Sequence, residues 1–341
     1  VHFIGLDLAW GTANRTGVAV LDEAGRLVAL DSVTSDDEIE ASIGPFVAGD
    51  CVVAIDAPLL VTNDSRARPA EVALNRDFAT FQAGARPTYR QHASGHFAPP
   101  RGAVLVERLS LELDPDADAP RRAIEVYPHP ATVVLFELSC TLKYKRGFGD
   151  TQAERLDARR REMQELIGLL EGLQDAAPRL ILEASMEWAA LRRDLQPACG
   201  PTVLDLVEDQ VDAVLCAYLA LLFAHDRGSF TIYGDYPLNG YIATPSLPPT
   251  ARGDFSRPKA PVNGRTDSSQ QLESGMQPEF DRPGESTSER RNACPCGCGS
   301  AVPHPDRFVP GHDSKALHAR IKKQWGSTLA FVRWFDETYR S

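Results

Sequence analysis

The sequence predicts an α/β fold in which one mixed sheet is flanked by helices. Three observations point to it. Residues 2–9 have strand character, and two further strand-like runs, 16–21 and 26–33, follow with only turn chemistry between them. Val52 to Ile55 is a continuous apolar run, the pattern of a strand covered on both faces. Beyond that the apolar spacing turns helical, most clearly over Val203 to Ala224.

The elements follow in order. Thr16-Gly17 and Glu23-Ala24-Gly25 supply the turns that let the first three strands pair antiparallel. Asp36 to Val47 has helical spacing. The next strand, Val52 to Ile55, is bounded by Asp50 and Ala57-Pro58. Residues 66–97 are polar and rich in Arg and aromatic side chains; 70–82 carry helical spacing and the remainder reads as a long loop over the sheet edge. Ala103 to Leu113 is a second helix. Ala123 to Tyr127 is a strand stopped by Pro128 and Pro130. Helices follow at 131–138, 152–173 and 203–224, then a last strand at 230–233, and Gly240 to Pro245 closes the body. A three-strand antiparallel start followed by buried parallel strands fits an RNase H-like layout better than a Rossmann one.

Composition divides the 341 residues into three parts. Residues 1–246 carry a net charge of −14, residues 247–291 are neutral, and residues 292–341 carry +3, giving −11 for the chain. The middle part is dominated by Pro, Ser, Gly, Gln and charged residues. It cannot bury enough apolar surface to offset backbone ordering, so a disordered linker is expected there. An acidic body argues against strong non-specific affinity for nucleic acid, though not against a local basic groove. There is no apolar run long enough to span a bilayer and no signal-like N-terminal segment, so a cytoplasmic protein is expected. Three of the seven cysteines, Cys294, Cys296 and Cys298, lie within five residues, and Cys51 and Cys216 sit in apolar runs as core thiols. Odd count and spacing speak against a disulfide framework.

The chemistry is expected from carboxylates at the ends of apolar runs. Asp7 ends Phe3-Ile4-Gly5-Leu6-Asp7, Asp56 ends Val52 to Asp56, and Glu125 follows Ala123-Ile124. Asp209 and Asp212, three apart, share one side of a helix, with Asp205 and Glu208 near the same stripe. Singly, each acid is more often a turn former or cap. Brought together they repel one another unless a cation neutralises them. The set therefore predicts a site for Mg²⁺ or Mn²⁺, which prefer hard oxygen ligands. Two such ions about 4 Å apart suit phosphodiester hydrolysis.

At these residues the chain resembles the DUF429 family of predicted RNase H-like nucleases. The resembling segments are Gly5 to Trp10 with Thr16-Gly17, Ala54 to Leu59, Arg68 to Glu71 with Asn75-Arg76, and Ile124 to His129. Lys143-Tyr144-Lys145, Asp209-x-x-Asp212-Ala213 and Gly240-Tyr241-Ile242 with Pro245 complete the series, in order, over residues 2–245. The resemblance implies an RNase H-like fold and a metal-dependent nuclease, and it carries over Asp7, Asp56, Glu125 and Asp212 as the acidic centre, with Asp209 assisting. The Asp-x-x-Asp pair also resembles the helix acids of RuvC-type resolvases.

Arg68, Arg76, Arg86 and Arg90 supply guanidinium forks for phosphates, with Tyr89 or Phe97 to stack a base. The bland alternative is a solvated helix face with Arg68 paired to Glu71. Lys143 and Lys145, in Lys143-Tyr144-Lys145-Arg146, form a second basic candidate. His129 is a candidate proton donor, although a lone His beside prolines favours a structural role. In the tail, Cys294, Cys296, Cys298 and His312 form a candidate Zn²⁺ set; Cys294, Cys298 and His312 with an outside ligand such as His304 is the alternative. A module of this size needs such a staple. Its basic helix, with Arg320, Lys322 and Lys323, suits a nucleic-acid or protein contact.

The sequence thus predicts an RNase H-like domain over 1–246, a linker over 247–291 and a Cys-rich zinc module over 292–341. The expected function is divalent-metal-dependent cleavage of DNA or RNA. Two rivals stand beside it. One is a non-catalytic RNase H-like adaptor or nucleic-acid-binding protein. The other is an actin-like nucleotide-binding phosphotransferase, because Asp7 to Thr12 with Thr16-Gly17 resembles a phosphate hairpin; the second domain copy and second Gly-rich loop of such folds are missing from 1–246.

Overall fold

A computed structural model describes residues 1–196 and 199–248, with Asn292–Ala293, Ala301–Val302 and a few positions between 320 and 334 beyond them. The chain divides into two compact units, Val1–Asn263 and Gly264–Ser341. In the second, β8 (Asn292–Ala293) pairs antiparallel with β9 (Ala301–Val302). Most of the expected linker and zinc module lie outside the described residues, including Cys294, Cys296, Cys298 and His312.

The first unit is built on a five-stranded mixed sheet. Its strands are β1 (His2–Asp7), β2 (Thr16–Leu21), β3 (Leu27–Val33), β4 (Cys51–Ile55) and β5 (Arg121–Glu125), in the order β3-β2-β1-β4-β5. The connections at 8–15 and 22–26 join β1, β2 and β3 as antiparallel neighbours. At the tighter turn Gly25 takes φ 77°, and the Asp22 carboxylate accepts the N–H groups of Ala24 and Arg26 at 2.9 Å each. The chain then crosses over through α1 (Asp36–Val47), so β4 runs parallel to β1, and β5 parallel to β4. Ser35 caps α1 in a reciprocal arrangement with Glu38.

The remaining elements are α2 (Pro69–Phe78), α3 (Arg101–Arg108), α4 (Pro128–Leu135), α5 (Gln152–Gly172), α6 (Met186–Asp194), α7 (Pro201–His225), β6 (Phe230–Asp235) and β7 (Gly240–Pro245). The strand positions agree with the sequence reading to within two residues at most ends. Three differences have simple causes. The helix expected from 131 begins at Pro128, because proline suits the first helical turn, where its missing N–H has no partner to lose. The helix α6 was not legible: in nine residues it buries only Trp188 and Leu191. Gly240 to Pro245 is a full strand, paired with β6 as a separate hairpin.

Alternation along the strands sorts the sheet into two faces. Ile4, Leu6, Val18, Val20, Val53 and Ile55 pack with Ile39, Ile43, Leu105 and Val106 of α1 and α3. Phe3, Ala19, Val52, Ala54 and Ile124 face the other way, into the core shared with α5, α6 and α7. The long helix α7 lies directly on β1 and β2. Gly5 and Gly17 allow this: a Cβ on Gly5 would run into the carbonyl of Ala213 and the amide of Ala217, and one on Gly17 into the carbonyl of Asp209. Substituting Gly5 by Ala is therefore expected to cost at least about 3 kcal/mol, since neither backbone can yield. Urea melts should show a lower midpoint; an unchanged midpoint would contradict this close packing.

Candidate active site

The same alternation decides where the acids point. Asp7 follows Leu6 and Asp56 follows Ile55, which are register partners on parallel β1 and β4. The Asp56 N–H donates to the Leu6 carbonyl at 2.9 Å, so the pairing continues to these tips. Both aspartates thus emerge side by side on the face covered by α7, on strands about 4.8 Å apart. The close seat of α7 on Gly5 and Gly17 brings Asp209 and Asp212 to the same place.

Asp7, Asp56, Glu208, Asp209 and Lys145 line a cleft of about 730 Å³. Asp212 lies behind them, with 0 % of its surface exposed. Its Oδ1 accepts the Tyr144 hydroxyl at 2.8 Å, and its Oδ2 is 2.6 Å from Lys145 Nζ. Glu208 is held by Arg159 Nη2 at 2.5 Å, and its other oxygen is 3.8 Å from Lys145 Nζ. The Asp7, Asp56 and Asp209 carboxylates accept no hydrogen bond among the described residues.

Glu125 also lines the cleft, but it is engaged where Asp7 and Asp56 are not. It is the register partner of Ile55, so it belongs to the opposite face from Asp56. There it is clasped by Arg68, whose Nη2 is 2.5 Å from Oε1 and Nη1 3.0 Å from Oε2, and it also accepts the Leu59 N–H at 2.8 Å. Arg68 Nε in turn donates to Glu71 at 2.9 Å, and Glu71 accepts the backbone N–H groups of Arg68 and Thr88 and the Thr88 hydroxyl. Arg68 and Glu71 are each 1 % exposed. Glu125 and Arg68, expected as ion ligand and substrate contact, both line the cleft, and there they engage one another, with Glu71 as Arg68's second carboxylate.

Of the other basic candidates, Arg86 and Lys143 line the cleft, as do Arg15 and Arg146. Arg86, Lys143 and Arg146 make no ion pair among the described residues. Arg76 does not line the cleft, and Arg90 is exposed, 4.0 Å from Asp64. Trp10 stands at the cleft wall, packed edge-on against Phe97 at 5.0 Å between ring centres. His129 accepts or donates at Nδ1 to Thr141 Oγ1, 3.0 Å away, between the rings of Tyr127 and Tyr144. Burial, then the neighbouring Lys145 charge, pushes its pKa down to about 4. It is neutral at pH 7 and has no proton of the imidazolium kind to give.

Arg101 escaped the sequence reading, and Tyr144 entered it only as part of Lys143-Tyr144-Lys145. Arg101 donates to Asp36 at 2.7 Å, to the carbonyls of Ala9 and Gly11, and to the carbonyl of Thr34, so it fixes the loop that follows Asp7. Tyr144, fully buried, orients Asp212. The signal available for Arg101 was a charged residue heading an otherwise apolar-faced helix.

The electrostatics follow from crowding. Burial first, then Asp212 and Asp56 against the relief given by Lys145, pushes the Asp7 carboxyl well above the usual carboxylate range. Burial and Asp212, again opposed by Lys145, push Asp56 up to about 7. Burial followed by Glu208 and Asp212 takes Asp209 to about 7. Burial pulls Lys145 down, but Asp212 and Asp7 outweigh it, and the ammonium stays charged well beyond the ordinary lysine range.

A pH signature follows for the metal-free protein. A raised folded-state pKa favours the fold only while the group is protonated, so that stability is complete below the unfolded value of about 3.9 and is lost as pH rises through about 7. In EDTA, Asp56→Asn should therefore be more stable than wild type above pH 7, and the gap should close as pH falls towards 4. Thermal melts across that range check it; a gap of constant size would contradict the crowding.

Among the described residues, no three or more of His, Cys, Asp and Glu stand grouped so as to hold a metal ion by themselves. That does not disqualify Mg²⁺, which is commonly held by one or two carboxylates, with waters and substrate phosphate completing the shell. Asp7 and Asp56 fit that requirement: hard oxygens, side by side, unengaged and mutually repelling. No helix among the described residues is long and apolar enough to cross a membrane. A family model described as "Protein of unknown function (DUF429)" matches residues 5–236. No curated protein and no solved structure matches the chain.

Proposed function

The chain belongs to the DUF429 family, and from that premise we propose that it is a divalent-metal-dependent phosphodiesterase acting on nucleic acid. The observation that carries this reading is the pair Asp7 and Asp56, unengaged at the tips of adjacent parallel strands inside a cleft whose lining also carries Arg86, Lys143 and Arg146. The antiparallel start of the sheet followed by two parallel strands supports an RNase H-like assignment of the fold.

Asp7 and Asp56 would hold Mg²⁺ or Mn²⁺. The ion, when bound, supplies Lewis-acid polarisation of a phosphate oxygen. The chain supplies the rest. Arg86, Lys143 and Arg146 attract and orient the phosphate backbone as charged donors. Trp10 offers a ring face to a base. Lys145 and Tyr144 fix Asp212 behind the cleft, so that the floor keeps one charge arrangement. Outside the described residues, Cys294, Cys296, Cys298 and His312 are a proposed Zn²⁺ set in a tail that would raise the local concentration of substrate.

The test uses the full chain with single- and double-stranded DNA and RNA oligonucleotides, in Mn²⁺, Mg²⁺ or EDTA. Cleavage of at least one of the four in Mn²⁺ or Mg²⁺, and none in EDTA, is expected. Metal binding without cleavage of any would favour the adaptor reading.

A further inference from the structure

Lys145 is an unusual neighbour for a metal site, because it already places a positive charge among the acids. We propose that Lys145 is a built-in cation, occupying on Asp212 the place of a second divalent ion, so that the cleft takes one ion, on Asp7 and Asp56. This rests on the divalent-ion reading of the cleft and specifies it further.

Three observations carry the proposal. The first is the engagement of Asp212. It is wholly buried, with Tyr144 on one oxygen and Lys145 Nζ 2.6 Å from the other. Oδ2 makes no hydrogen bond among the described residues, so what offsets its charge there is the Lys145 ammonium. Glu208 is likewise committed to Arg159.

The second is that Lys145 is placed and not merely nearby. The segment Lys143–Lys145 lies between α4 and α5 and is strapped to α5 on both sides. Arg159 Nε donates to the Tyr144 carbonyl at 2.8 Å, and the Lys143 N–H donates to Glu162 at 2.9 Å. Tyr144 between them is fully buried. A lysine on such a strap loses little further freedom when it pairs, unlike an exposed lysine on a flexible stem.

The third is charge. Asp7, Asp56, Asp209 and Asp212 gather four carboxylates in one place, and Lys145 sets one positive charge among them. Glu125, which would have argued for a second ion, is engaged on both oxygens by Arg68. A second ion would have to displace the Lys145 ammonium or lie against it, where like charges repel.

The experiment counts Mn²⁺ bound to the full chain by electron paramagnetic resonance and calorimetry. The cleft count is the difference between wild type and the Asp7→Asn/Asp56→Asn double variant, which cancels any ion held elsewhere. One ion is expected in wild type, and two in Lys145→Met, where Asp212 is left without its cation. Lys145→Arg, which keeps the charge, should return the count to one. Two ions in wild type would overturn the proposal while leaving the phosphodiesterase reading intact, and so would a count of one in a folded Lys145→Met. No ion in wild type would remove the metal reading itself. If Lys145→Met fails to fold, the counts for wild type and Lys145→Arg still decide between one ion and two.

Discussion

Replacing Asp7 by Asn is expected to lower Mn²⁺- or Mg²⁺-dependent cleavage by about 1,000-fold or more, while the melting temperature in EDTA stays the same or rises. The two halves of this result have one cause. Asp7 is crowded by Asp56, Asp209 and Asp212 on a partly buried floor, so its charge opposes folding unless a cation is present. Asn keeps the shape and removes the charge, which relieves the repulsion but takes away an ion ligand that no neighbouring group replaces. Loss of one electrostatic contact to the reacting phosphate commonly costs 10²–10³-fold, and loss of the ion itself costs more. A structural acid behaves in the opposite way: its removal lowers stability and affects activity only through folding. Activity assays and melts on the same preparation separate the two, and unchanged cleavage by the variant would take Asp7 out of the centre.

Much of the scaffold for this site was legible from local pattern. The turn at Gly25, the buried run of β4 and the length of α7 each declare themselves within a dozen residues or so, whereas Thr16-Gly17, expected as turn chemistry, opens β2 itself. Asp7 and Asp56 were found because an acid directly after an apolar strand is conspicuous. What local pattern does not carry is the parity of pairing between strands far apart in sequence. Asp56 and Glu125 look alike, each directly following an alanine and an isoleucine. Register makes them different: Ile55 pairs with Glu125, so Glu125 shares a face with Ile55 and not with Asp56. A one-residue difference in register reverses the face of a side chain.

The lysine shows a second limit of the sequence. Lys145 reads as one of three charges in a four-residue basic stretch, and charge runs are usually solvated surface. Its role comes from two contacts of the neighbouring backbone with α5 and from Asp212 on α7, a residue 67 positions further on. Arg101 is of the same kind, since its partners Ala9, Thr34 and Asp36 lie far upstream. Charged residues whose partners are distant look free in sequence, and Arg68 is the most consequential example.

Arg68→Met should destabilise the first unit by about 3–5 kcal/mol, because it leaves Glu125 and Glu71 buried without their counter-charge. For a body of this size that corresponds to a fall in melting temperature of the order of 10 °C. Burial already pushes the Glu125 carboxyl upward even with Arg68 and the Leu59 N–H opposing it. Without Arg68 the group must take up a proton or draw in water, and either costs stability. Glu125→Gln is the informative companion. If Glu125 were an ion ligand, this variant would lose Mn²⁺ in the cleft and keep its stability. With Glu125 committed to Arg68, it should instead melt lower than wild type yet bind Mn²⁺ with unchanged stoichiometry. Combining both substitutions should restore part of the loss, since the two charges vanish together, and the double-mutant cycle then measures their coupling. A Glu125→Gln protein that is as stable as wild type and has lost its ion would return Glu125 to the acidic centre. It would also weaken the one-ion account, since Glu125 would then be a further ion ligand in the cleft.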